Sequence, residues 1–171
     1  MQYYYPYQTP FGEIWIVEEN NHIVKIKYKI NFDGMEKKET TLIKTTRQQL
    51  TEYFSGERKQ FDIPIKLTGT TFQMQVWEAL QTIPYGEIWS YKRLAETVGS
   101  PKGYRAVGLA NNRNPISIIV PCHRVVGIDG ALVGYAGGIE KKKYLLDLEQ
   151  KMLTFPPFTV YQKEPFPQTH K

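Results

Sequence analysis

The sequence predicts an α+β protein, strand-rich over residues 1–68 and mostly helical over 69–153, and three observations carry that reading. Early apolar residues alternate with polar ones at period two, as a half-buried strand requires. From residue 70 onward they recur at helical spacing between clear start and stop signals. Finally, the β-branched run Ile116-Ser117-Ile118-Ile119-Val120 leads into Pro121-Cys122-His123-Arg124, which reads as a strand carrying a cysteine at its lip.

Composition bounds the function classes. The chain has 171 residues, 41% hydrophobic and 13% aromatic, enough to bury a core. One cysteine cannot form an internal disulfide and cannot build a cysteine-based metal site. The segment Met1-Gln2-Tyr3-Tyr4-Tyr5-Pro6 lacks the basic and apolar regions of a signal peptide, and no apolar run reaches the length of a membrane span. A reducing, cytoplasmic setting without a membrane partner is therefore expected. The net charge of +5 favours polyanionic partners only weakly.

In order, strands are expected over 1–7, 13–17 and 22–28, the last two joined across Asn20-Asn21 with His22 solvated beside the turn. Leu42, Ile43, Leu50, Tyr53 and Phe54 predict a helix over 40–55 that stops at Gly56. Residues 59–67, broken by Pro64, read as an extended connection. Thr71 is expected to cap a helix bearing Phe72, Val76, Trp77 and Leu80. Ser90 caps 91–98, Gly99 closes it, and Ser100-Pro101 opens a third helix to about Asn112. Two short helices across such a turn outline a helix-turn-helix.

The third helix is poor in side chain. Ala106, Gly108 and Ala110 leave part of it bare, flanked by Arg105 and Arg113. A neighbouring helix fits that surface as well as a nucleic acid does; Lys92, Arg93 and Lys102 nearby tilt the reading toward DNA. After the cysteine, Gly134-Tyr135-Ala136-Gly137-Gly138 reads as a loop folding over a flat ring, since no P-loop lysine follows. A last amphipathic helix covers 139–150 with Lys141, Lys142 and Lys143 exposed, and Glu149 backs His123 if that helix packs behind the cysteine. The proline-rich tail 154–171 carries no assignment.

A lone cysteine is more often a buried hydrophobe than a nucleophile. Pro121, His123 and Arg124 crowd this one with polar groups, which brings the two readings level. Extended neighbours point to opposite faces, so either a turn brings His123 to Cys122 or a water relays the proton, and the water is the preferred reading.

Pro121-Cys122-His123-Arg124-Val125, with Arg105-Ala106-Val107-Gly108, Asn114-Pro115, Ser90-Tyr91, Tyr135-Ala136-Gly137-Gly138 and Leu145-Leu146 leading to Glu149, resembles the O6-alkylguanine-DNA alkyltransferases. The likeness is dense over about 70–150 and covers the first half only in length and strand content. It implies a small ribonuclease-H-like domain at 1–68, then a mostly α alkyltransferase domain at 69–153 with the helix-turn-helix and the reactive cysteine. It implies irreversible, one-time transfer of an alkyl group from O6-alkylguanine, or O4-alkylthymine, to Cys122.

By the same resemblance, His123 activates the thiol through water, Glu149 orients the imidazole and Asn114 braces the turn. Tyr91 quenches charge on the leaving base. Arg105 fills the stack vacated by a flipped nucleotide. Ala106, Gly108 and Ala110 lie in the minor groove of double-stranded DNA, and Tyr135, Ala136 and Gly137 wall the pocket, with Ser90 and Lys142 nearby. No cofactor, no metal and a monomer are implied. Ala136 departs from the hydroxyl residue common there, leaving backbone N–H groups to bind the base oxygen. Two rivals remain: a non-catalytic sensor of alkylated DNA, whose known kind lacks the cysteine, and a cysteine hydrolase using Cys122, His123 and Glu149.

Overall fold

The computed structural model describes residues 1–153, and the tail assignment at 154–171 lies outside them. The fold is α+β. The chain divides into a first compact unit, Met1–Thr68 with Pro115–Ile119, and a second, Gly69–Asn114 with the chain from Val120 onward. Pro115–Ile119, inside the 69–153 span expected as the second domain, makes an excursion into the first unit. Its cause is backbone pairing: Ile26 N–H donates to the Pro115 carbonyl at 2.9 Å, and Ser117 N–H to the Ile26 carbonyl at 3.0 Å.

The first unit is built on β1 (Gln2–Thr9), β2 (Gly12–Glu19), β3 (His22–Lys27) and β4 (Met35–Lys37), in the spatial order β3-β2-β1-β4. Asn20 and Asn21 both have positive φ, 51° and 62°, the requirement of a two-residue turn whose twist matches its strands. His22 is exposed there, its Nδ1 2.9 Å from the Asn20 carbonyl. Ile14, Ile16, Ile23 and Ile26 are fully buried. Helix α1 (Thr41–Phe54) covers them with Ile43, Leu50 and Tyr53; Thr40 caps it by accepting from Ile43 N–H, and Gly56 ends it at φ 87°. Residues 64–66 run beside β3, with Lys66 N–H 3.0 Å from the Ile23 carbonyl.

The second unit begins with α2 (Thr71–Leu80). Thr70, one residue earlier than expected, is the cap, because Gln73 completes a reciprocal capping box with it. A Cβ at Gly69 would lie 2.6 Å from the Trp77 ring, so only glycine fits before that cap. The short strand β5 (Trp89–Ser90) leads into α3 (Tyr91–Thr97), capped by Ser90 as expected, and Gly99 follows at φ 77°. Helix α4 starts later than the proline suggested, at Tyr104–Asn112. Pro101 instead occupies the second position of a turn closed by Gly103 N–H on the Ser100 carbonyl at 2.8 Å.

The cysteine does not sit on a strand. Ile118 adopts φ 75°, which breaks any extended run, and Cys122–Arg124 form a single turn of 3-10 helix before β6 (Val125–Val126), paired parallel to β5. Helix α5 (Ile139–Leu153) closes the unit with Leu145, Leu146, Lys142 and Glu149 inward. Lys142 is therefore not exposed as expected: it is the inward lysine of its run, fully buried.

Candidate active site

Cys122 is held by the backbone of its own turn. Asn114 Nδ2 donates to the Val120 carbonyl at 2.8 Å, and Cys122 N–H donates to the same carbonyl at 2.8 Å. Asn114 thus fixes the approach to the cysteine. The thiol is buried, 4% exposed, and is the protein's only cysteine. Successive side chains of a 3-10 turn diverge by about 120°, so Cys122 and His123 do not face the same way.

Behind the turn lies a buried charge cluster centred on Glu149. Its Oε2 is 2.8 Å from His123 Nε2 and 2.9 Å from Arg124 Nη2, and its Oε1 accepts from Arg124 Nε at 2.9 Å and Gly86 N–H at 3.2 Å. Arg124 also donates to the Ile83 carbonyl at 2.7 Å and stacks over Tyr85. Burial alone would raise the Glu149 carboxyl, but His123 and Arg124 hold it well below the usual carboxylate range. Burial pushes the His123 imidazole down; Glu149 opposes that, whereas Arg124 and Lys142 add to it. Arg124 already supplies the countercharge, so the imidazole is neutral and donates its Nε2 proton to the carboxylate. His123 Nδ1, buried and with no hydrogen-bond partner among the described residues, is then left with a free lone pair.

That burial has a measurable consequence. Below the ordinary histidine value of 6.5 the unfolded chain binds a proton that native His123 refuses. Stability should therefore fall as the pH drops from about 6.5 toward the depressed native value, by at most about 1.4 kcal/mol per pH unit. Urea midpoints at successive pH values test this. The slope should flatten in a His123→Gln chain, and an unchanged slope would mean that another group titrates.

Tyr91, at the first position of α3, approaches the same region. Its hydroxyl donates to the carbonyls of Val133 at 3.2 Å and Gly134 at 3.4 Å. Lys142 Nζ donates to those carbonyls at 2.7 and 3.4 Å and sits 5.6 Å from the Tyr91 ring centre. Burial raises the phenol to about 12, helped by the charge of Cys122 and opposed by a hydrogen bond from Asn111. Burial brings the Lys142 ammonium down to about 8. Gly134 (φ 63°) leaves room for the phenol, since a Cβ there would stand 3.2 Å from it.

The other sequence-predicted residues fall into place unevenly. Arg105 and Ala106 are exposed on α4, and Gly108 lies beside the Tyr91 ring. Ala110 is corrected: it is 3% exposed and its carbonyl accepts the Trp77 indole N–H at 2.8 Å, so it belongs to the α2–α4 packing and not to a bare surface. The Ser90 hydroxyl is engaged as the α3 cap at 3.0 Å from Arg93 N–H. Tyr135 is buried, whereas Ala136 is exposed and Gly137 half-buried.

Sequence reasoning gave Arg124 no partner and overlooked Asn111. The available signal was helical spacing, which puts Asn111 on the inward face with Val107.

No group of three or more His, Cys, Asp or Glu residues suited to a metal occurs among the described residues, and none of their helices is long and apolar enough to cross a membrane.

Two family models match the chain: the 6-O-methylguanine DNA methyltransferase ribonuclease-like domain over residues 2–67, and the DNA-binding domain of the same family over 71–151. A constitutive methylated-DNA–protein-cysteine methyltransferase of Bacillus subtilis is 48% identical over 159 residues, 88% of this chain and 96% of the relative. One from Methanosarcina acetivorans is 45% identical, covering 86% and 97%. The crystal structure of Mycobacterium tuberculosis OGT in complex with DNA superposes with a TM-score of 0.83 at 41% identity, covering 88% and 94%.

Proposed function

This chain belongs to the 6-O-methylguanine DNA methyltransferase family, and on that premise we propose how its residues carry out the family's chemistry. The protein is a DNA repair methyltransferase that removes an alkyl group from DNA by direct transfer to its own cysteine. Cys122 is the acceptor. The observation that carries this assignment is the lone buried thiol set one residue before a buried imidazole whose Nε2 is locked to Glu149 and whose Nδ1 has no hydrogen-bond partner among the described residues.

The substrate is O6-alkylguanine in double-stranded DNA, with O4-alkylthymine as a second candidate. A water between Sγ and His123 Nδ1 relays the thiol proton, because the 3-10 turn separates the two side chains. Sulfur then attacks the alkyl carbon as the carbon–O6 bond breaks, and the electron pair passes to the purine. Tyr91 supplies the proton that quenches it. The thioether that remains is inert, so each chain acts once. A base cannot be attacked while stacked, so it is extruded into the site, at a cost of a few kcal/mol. Helix α4 enters the minor groove with Ala106 and Gly108 allowing close approach, and Arg105 takes the vacated place in the stack. The protein works as a monomer in the cytoplasm, without cofactor or metal. A sensor without chemistry is not favoured, because the cysteine is present.

Intact-mass measurement after incubation with an O6-methylguanine duplex tests this directly. One methyl per chain, located on Cys122, is expected, and an unmodified chain would refute the assignment. Arg105→Ala should slow repair of the duplex at least about tenfold while leaving reaction with free O6-alkylguanine base nearly unchanged, since only the duplex demands extrusion. Equal losses on both substrates would remove Arg105 from that role.

A further inference from the structure

Asn111 is fixed in an unusual way. It is 1% exposed on the inner face of α4, and its Nδ2 donates to the carbonyl of Cys122 at 3.3 Å. A carbonyl only accepts, so the orientation of the amide is set, and its Oδ1 is buried without a hydrogen-bond partner among the described residues. An orphaned acceptor costs about 1–3 kcal/mol. The bond of the nitrogen to the Cys122 carbonyl is what holds the side chain there.

The Tyr91 ring lies along the same helix face. A Cβ at Gly108 would be 3.8 Å from its Cε1 and 3.9 Å from its Cδ1, and Asn111 is the next residue along that face. Asn111 acts on the phenol as a hydrogen-bond donor that favours the phenolate, against the burial and the Cys122 charge that disfavour it. With that lone pair occupied, the phenol's own proton is aimed elsewhere, in this structure at the Val133 and Gly134 carbonyls.

We propose that Asn111 is a positioning residue for alkyl transfer, its amide nitrogen bridging the Cys122 carbonyl and the Tyr91 oxygen so that nucleophile and proton donor are held in register. This rests on the alkyltransferase reading above. In the step it serves, the sulfur–carbon bond forms, the carbon–O6 bond breaks, and the leaving purine takes the Tyr91 proton. The thiol's proton, lodged on His123, restores the phenol by way of solvent. The net change is exchange of the alkyl group for hydrogen on guanine.

The test is the single-turnover rate of methyl transfer from an O6-methylguanine duplex at saturating protein, for wild type, Asn111→Ala, Tyr91→Phe and the double variant. Asn111→Ala should slow wild type about tenfold, as loss of one hydrogen bond to a charged group predicts, but slow Tyr91→Phe less than about twofold. Asn111→Ser serves the same cycle if the alanine variant melts too low. Equal losses in both backgrounds, or none in either, overturn the role of Asn111. A wild-type chain that takes up no methyl overturns the alkyltransferase reading itself, and this inference with it.

Discussion

A Cys122→Ala chain should gain no methyl from an O6-methylguanine duplex, even after prolonged incubation in excess, while keeping its fold. The substitution removes one atom from a site 4% exposed, so the expected loss of stability is about 1 kcal/mol. No neighbour can substitute as nucleophile. The Tyr91 phenol, raised to about 12, is protonated at neutral pH. The Lys142 ammonium, at about 8, is still mostly protonated there and is tied to the Val133 carbonyl at 2.7 Å. His123 Nδ1 has no hydrogen-bond partner among the described residues, but the divergence of successive side chains in its turn keeps the ring from taking the thiol's own place. Mass spectrometry of the recovered chain, paired with a thermal melt, checks both halves. A methyl found on any other residue would show that proximity alone drives the reaction.

Glu149→Ala should do more damage than loss of the nucleophile. Its two carboxylate oxygens satisfy Arg124, His123 and the Gly86 N–H together, and Arg124 is only 7% exposed. Removing one partner of a buried pair strands the other, and about 3–5 kcal/mol of stability should go with it. Glu149→Gln retains hydrogen-bonding atoms but not the charge, so it should fold better than the alanine variant. Its transfer should still be slow, by about 10²-fold or more, because the imidazolium that forms during proton abstraction is no longer neutralised. Denaturant titration and single-turnover kinetics on the two variants separate these effects. A glutamine variant as fast as wild type would confine Glu149 to a structural role.

How much of this was legible in the sequence depended on distance along the chain. Caps and turns were readable where their partners lie within four residues: Ser90 with Arg93, Asn20 with Asn21. The pairing of His123 with Glu149 was readable from the residues only on the condition that the last helix packs behind the cysteine, and outright only through resemblance, since nothing local joins residues 26 positions apart. Three expectations failed. Pro101 looked like the first residue of a helix, yet a glycine two positions on gave it a turn to complete. Ile116 to Val120 had the β-branched look of a strand, but Ile118 turns left-handed. Lys142 looked solvated among lysines, and the carbonyls of Val133 and Gly134 draw it inside.

The pairing of residues 115–117 with β3 bears on how the protein is made. The strands of the first unit have all left the ribosome once residue 37 is out, and residues 64–66 soon protect the outer edge of β3 at Ile23. At Ile26 that edge waits for Pro115 and Ser117, translated roughly fifty residues later. Until then a strand with open backbone groups is offered to any passing chain, so the nascent sheet is at its stickiest during synthesis of the very helices that are to handle DNA.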